Sequence, residues 1–200
     1  GGGAGGSVYL TAGIITGSGS ITANGNGTSP STGGFTSGSG GAGRIALYAS
    51  TFNLTSMTVA VDGSTVANTV GQSGTMYFYD NTNSRVILEH AWGPYDTSAF
   101  QYSGSFQATT TNATTTIESV TAGWLTINMD VVVPTGKTFT VASTTIANTI
   151  TTVTGTLTAT GRGFAAEKGT SAATTLTGDG SGGGGGHGGR GGSGNGGPGG

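Results

Sequence analysis

The 200 residues include 43 glycines, no cysteine and only 7% charged side chains, with a formal net charge of −2 at pH 7. Charges so few and so scattered exclude a phosphate-neutralising basic surface for nucleic acid or lipid headgroups, and the missing cysteines exclude a disulfide framework. Val, Leu, Ile and Phe number only 35, too few for side-chain burial alone to order the chain, so backbone pairing must contribute as much.

The chain opens Gly1-Gly2-Gly3 without a methionine, which reads as a mature product or a piece of something longer. Glycine then falls in three zones: 16 in residues 1–43, 12 in residues 44–178 and 15 in residues 179–200. A repeat runs through the first part. Gly6-Ser7-Val8-Tyr9-Leu10-Thr11-Ala12 lies over Gly43-Arg44-Ile45-Ala46-Leu47-Tyr48-Ala49 and over Gly74-Thr75-Met76-Tyr77-Phe78-Tyr79-Asp80. The first two copies continue into a second β-prone run, Ser20-Ile21-Thr22-Ala23-Asn24-Gly25 and Thr58-Val59-Ala60-Val61-Asp62-Gly63. Asn-Gly and Asp-Gly at their ends predict tight turns with positive φ. The third copy has Arg85-Val86-Ile87-Leu88-Glu89 instead.

Between Ser105 and Thr160, 20 of 56 residues are threonine. Leu125–Asn128, Val131–Val133, Thr138–Val141, Ile150–Val153 and Thr156–Ala159 predict short strands, because β-branched residues at period two fit a pleated surface. Pro134-Thr135-Gly136 predicts a turn, and almost no helix is expected from glycine and threonine. In residues 179–200, His187, Arg190 and Ser193 recur every third residue among glycines, the polyproline-II period.

The runs G-R-I-A-L-Y-A, G-T-M-Y-F-Y-D-N-T-N and G-G-G-G-G-H-G-G-R-G-G resemble the glycine-rich repeats of large bacterial and archaeal cell-surface proteins predicted to form parallel β-helices. The stretch L-T-I-N-M-D-V-V-V-P-T-G-K-T-F is similar to coils of surface β-solenoids. The expected fold is therefore all-β, a parallel β-helix or β-solenoid with Gly-rich, polyproline-II-like terminal segments. Residues 1–106 are expected as Gly-rich coils, 107–178 as a Thr-rich β-solenoid or β-sandwich continuation, and 179–200 as an extended polyglycine segment.

Chemistry is sparse. Gly136-Lys137-Thr138 ends like a phosphate-binding loop, but Val131 stands where that loop needs glycine and a strand follows. Gly38, Gly40 and Gly43 match a dinucleotide fingerprint only as any glycine-rich chain would. Asp62, Asp80, Glu89, Asp96 and Glu118 are the acids from which a glycosidase pair would have to come, and turn or strand-surface roles account for them better. Asp80, Asn81 and Asn83 offer oxygen to calcium without the rest of the known loop pattern. With only His90 and His187, no metal site, catalytic triad or cofactor is expected.

Asn26, Asn53 and Asn112 head glycan acceptor sequons. Repeated Thr-x-Thr matches ice-binding arrays in form, although threonine ladders stabilise stacked strands anyway. Trp92, Tyr95, Phe100, Tyr102 and Phe106 form a candidate ligand or subunit contact, or part of a core. The expected function is non-enzymatic: an extracellular or cell-surface structural protein that self-associates through its Gly-rich ends into a filament or adhesive fibre. The alternatives are a glycan-binding adhesin or receptor-binding tip, and a carbohydrate-active enzyme on the same scaffold. Neither nucleic acid binding nor membrane insertion is expected, since apolar runs such as Val131–Val133 fall far short of the roughly 20 residues that span a bilayer.

Overall fold

The computed structural model describes residues 2–27, 38–65, 70–90, 100–109, 112–147, 151–160 and 162. The chain divides into two compact units, Gly1–Gly93 with Thr97–Ala159, and Pro94–Asp96 with Thr160–Gly200. Only Thr160 and Arg162 of the second are described, so the architecture below is that of the first. The expectation for residues 179–200 lies outside the described residues.

The strands are β1 (Ser7–Thr22), β2 (Arg44–Ala60), β3 (Thr75–Asp80), β4 (Arg85–His90), β5 (Gln101–Ala108), β6 (Ala113–Ile127), β7 (Asp130–Val133), β8 (Thr138–Ile146), β9 (Thr151–Val153) and β10 (Thr156–Thr158). No helix occurs among the described residues, as expected of the glycine and threonine content. The turn at Pro134 forms as expected: the Lys137 N–H donates to the Pro134 carbonyl at 3.0 Å, with Gly136 at φ 77°.

The repeat is a pairing register. β1 lies parallel to β2 with Ser7 beside Arg44 and Leu10 beside Leu47, and β2 lies parallel to β3 with Arg44 beside Thr75 and Leu47 beside Phe78. Alternate residues therefore stack in rows, so Ile45, Leu47, Met76 and Phe78 are all buried.

The expected parallel β-helix does not form. After β3 the chain reverses through residues 81–84, and β4 returns antiparallel to β3, with Tyr77 beside Glu89. The Asp80 carboxylate fixes that reversal. It accepts from the backbone N–H groups of Thr82 (3.0 Å) and Asn83 (3.2 Å), the Asn83 amide (2.7 Å) and Arg85 Nε (3.3 Å). β4 then pairs antiparallel with β6, β6 with β5, and β5 with β2. The path β2-β3-β4-β6-β5 returns to β2, so the molecule is a closed five-strand barrel of mixed orientation with extra strands outside it. A solenoid requires every coil to advance the same way, and this hairpin prevents it. The resemblance to glycine-rich β-helix repeats thus holds for the parallel β1-β2-β3 register and fails for the architecture.

β2 and β6 carry the extra strands. A strand has two edges; β1 occupies one edge of β2, while β3 and then β5 share the other. β6 likewise pairs with β7 and β8 on the edge away from β5, and β9 and β10 add to β7 and β8, all parallel. The expected boundary at residues 106 and 107 falls within β5, which joins the two halves.

A crease crosses the strands. Thr55 and Ser56 of β2 oppose single residues on both neighbours, Ser18 of β1 and Ser105 of β5, and Glu118 of β6 is the extra residue opposite the Ser103-to-Gly104 step. Ser56 has φ 47° and is held there: its N–H donates to Ser105 Oγ at 3.2 Å and its hydroxyl donates to Glu118 Oε1 at 2.8 Å. Such bulges bend a sheet sharply, as closing a small barrel requires.

The Gly-rich segments bond to one another at the entrance to β1, β2 and β3. Gly2 N–H donates to the Gly38 carbonyl, Gly5 to Gly41, Asn26 to Gly3, Gly43 to Ala23 and Ser64 to Gly40. Neither Gly25 nor Gly63 has the positive φ expected of an Asn-Gly or Asp-Gly turn. Their hydrogens leave room instead for carbonyls of residues 40 and 41 beside Gly25 and of residue 71 beside Gly63.

Candidate functional site

The acids take up separate structural tasks. Asp62 accepts from the Phe100 N–H at 2.9 Å and from the Gln101 amide at 3.4 Å; burial raises its pKa, against the pull of these two donors. Asp80 is buried, which opposes its charge, but the donors from Asn83, Arg85 and Thr82 win and its pKa lies below the ordinary value. Those donors also occupy the oxygens that calcium would need. Glu118 accepts from Ser56 at the crease, and Glu89 stands beside Tyr77 on the barrel's outer face. Asp96 lies outside the described residues. Among the described residues no three of His, Cys, Asp and Glu converge on a metal position.

His90 is buried against Phe100, with ring centroids 4.1 Å apart. Its Nδ1–H donates to the Trp124 carbonyl at 2.6 Å, which leaves Nε2 to accept from the Ser73 hydroxyl at 3.3 Å. Burial lowers its pKa, partly offset by the Trp124 bond. This is a neutral core histidine with both nitrogens satisfied.

Of the aromatic cluster, Phe100, Tyr102 and Phe106 are fully buried. Phe106 packs edge-on against Phe52 and Phe78, and the Tyr102 hydroxyl bonds to that of Thr115. These three are core and offer no surface to a ligand; Trp92 and Tyr95 lie outside the described residues. Among the sequon asparagines, Asn26, Asn53 and Asn112 are all exposed. Asn53 sits mid-strand between Thr16 and Gln107, and Asn112 closes the β5–β6 turn through its carbonyl. Thr28 of the first sequon is outside the described residues.

An aromatic surface, exposed at Tyr9 and half-buried at Tyr48, Tyr77 and Tyr79, lies elsewhere. Tyr9, Tyr48, Tyr77 and Tyr79 stand on the outer face of β1, β2 and β3, with neighbouring centroids 5.3 Å (Tyr9 and Tyr48), 5.8 Å (Tyr48 and Tyr77) and 5.6 Å (Tyr48 and Tyr79) apart. Burial raises the Tyr77 pKa, with Tyr48, Glu89 and Tyr79 adding to it. The repeat contained the signal: its copies carry tyrosine at positions that share one face once the register is parallel.

The second feature is the outer strands of the sheet, β1 on one side and β9 and β10 on the other. β1 pairs only with β2 among the described residues, and it exposes Tyr9 (72%), Ile14 (65%) and Leu10 (40%). At the other end β9 and β10 are mostly exposed, Val153 and Leu157 to 43% and 44%. A long, apolar, charge-free edge is what folded proteins ordinarily avoid, because it templates pairing with another chain. Comparison with protein-family models, curated proteins and solved structures finds no match.

Proposed function

We propose that this chain is a non-enzymatic structural component outside the cell or at its surface, associating with copies of itself into a filament or adhesive fibre. The observation that carries the reading is β1: sixteen residues of formed strand, paired on one side only among the described residues, with three large apolar side chains in solvent. The hydrogen-bonding tasks of Asp62, Asp80 and Glu118 support the non-enzymatic part. Exposed sequons at Asn53 and Asn112 and a charge-poor, threonine-rich surface support the location. Electron microscopy and sedimentation test the proposal: concentration-dependent fibres are expected, and a chain that stays a monodisperse monomer at high concentration refutes it.

A second reading, a glycan-binding adhesin or receptor-binding tip, is favoured by the tyrosine face and not by the buried Phe100, Tyr102 and Phe106. Exposed aromatic rings can stack on sugar faces. Binding to a glycan array that is lost in Tyr9→Ala and Tyr48→Ala would establish it.

A further inference from the structure

The outer face of β1, β2 and β3 is a grid set by two parallel registers. Ser7, Arg44 and Thr75 form one row, Tyr9, Ala46 and Tyr77 the next, and Thr11, Tyr48 and Tyr79 the third. Alternate residues of a strand share a face, so these side chains stand together while Ile45, Leu47, Met76 and Phe78 turn into the core.

The centre of the grid is aromatic. Ala46 carries only a methyl group, and the Tyr48 ring comes within 5.3 Å of Tyr9, 5.8 Å of Tyr77 and 5.6 Å of Tyr79, tilted against them by 42°, 47° and 45°. The four rings therefore make one continuous surface, with Tyr9 72% exposed at its margin. Such a surface suits the C–H faces of pyranose rings, and the phenol hydroxyls with those of the exposed Ser7 and Thr11 supply partners for sugar hydroxyls.

Charge gives this surface a direction. Arg44 follows Ala46 along the same face of β2; it is exposed, flanked by the hydroxyl residues Ser7 and Thr75, and in no ion pair among the described residues. A guanidinium presents a planar fork that holds a carboxylate through two parallel N–H bonds. Glu89 stands beside Tyr77 on β4, two strands from Arg44 and so about 10 Å away across the sheet. A ligand carboxylate is drawn to the Arg44 side and repelled from the Glu89 side, whereas uncharged sugar hydroxyls can donate to Glu89.

We infer, on the basis of the glycan-binding reading above, that the tyrosine face takes glycans bearing a carboxylated sugar such as a uronic acid, its ring stacked on Tyr48 and the neighbouring tyrosines and its carboxylate held by Arg44. The tyrosines supply affinity common to neutral and acidic sugars, and Arg44 supplies the preference for the acid.

Titration calorimetry with a glucuronate-terminated oligosaccharide and its glucose-terminated counterpart separates the two contributions. The full-length parent is compared with Arg44→Gln and Tyr9→Ala, both at exposed positions, after melting curves confirm that each folds like the parent. The parent should bind the acidic glycan about ten-fold more tightly than the neutral one. Arg44→Gln should bind both at the neutral level, and Tyr9→Ala should lose affinity for both alike. Equal affinity of the parent for the two glycans, or a preference that survives in Arg44→Gln, overturns the carboxylate assignment and leaves glycan binding standing; binding of neither glycan removes both.

Discussion

Glycine earns its frequency here at positions where two backbones meet. A methyl group on Gly43 would overlap the Gly6 carbonyl oxygen, whereas one on Gly41 would meet only the Gln72 carbonyl at an ordinary 3.8 Å. Gly43→Ala should therefore destabilise the fold by about 1–3 kcal/mol or more, while Gly41→Ala stays within about 0.5 kcal/mol; urea denaturation of the two variants checks the contrast. His90 gives the chain a pH dependence of known sign. Its pKa is lowered in the folded state from 6.5, so the unfolded chain binds the proton more readily, and the contribution is complete above about pH 6.5 and lost as pH falls through the folded value. The melting temperature should drop on acidification below pH 6.5, and this slope should flatten in His90→Phe whatever that variant's absolute stability. Nothing local to Ala-Trp or Glu-His in the sequence marks His90 as buried, because its partners Ser73, Phe100 and Trp124 come from other parts of the chain.

At the level of strands, local pattern carried far. Parallel pairing aligns equivalent residues, so the superposition of Gly6, Gly43 and Gly74 in the sequence became the register of β1, β2 and β3. β7 was legible from the run Val131–Val133, and the start of β8 with β9 and β10 from alternating threonines. β5 was not, because Gln101–Ala108 mixes glycine and serine with aromatics, and only its position between β2 and β6 makes Tyr102 and Phe106 interior. The Asp80 hairpin decides the topology, and its loop composition was visible, but whether a loop reverses a chain or merely links two coils depends on where the next strand finds a partner. Asp80→Ala removes four hydrogen bonds to one carboxylate and should cost about 1–3 kcal/mol. Since the Asp80 pKa is lowered from 3.8, its contribution is present above that pH and is lost as pH falls through the folded value; melting curves of parent and variant should therefore converge in strong acid.

At the scale of the first compact unit, a ring of five strands settles the interior, and β1 adds to the outside of β2 as β7 and β8 add to the outside of β6. Sequence suggests that such a chain polymerises through its Gly-rich ends; residues 179–200 lie outside the described residues, and at the other end Gly2, Gly5, Gly40 and Gly43 donate backbone hydrogen bonds to Gly38, Gly41, Asn26 and Ala23. If copies associate through added strands, fibre diffraction should show the strand spacing near about 4.8 Å along the fibre; its absence from oriented fibres refutes strand addition.

The crease has a mechanical consequence. It passes through Ser18, Ser56, Gly104 and Glu118, and it continues into the Pro134 and Gly155 corners. These irregular points make one seam across neighbouring strands. A sheet with one seam resists flexing unequally, yielding about the line along which its two flanks fold and remaining stiff across it.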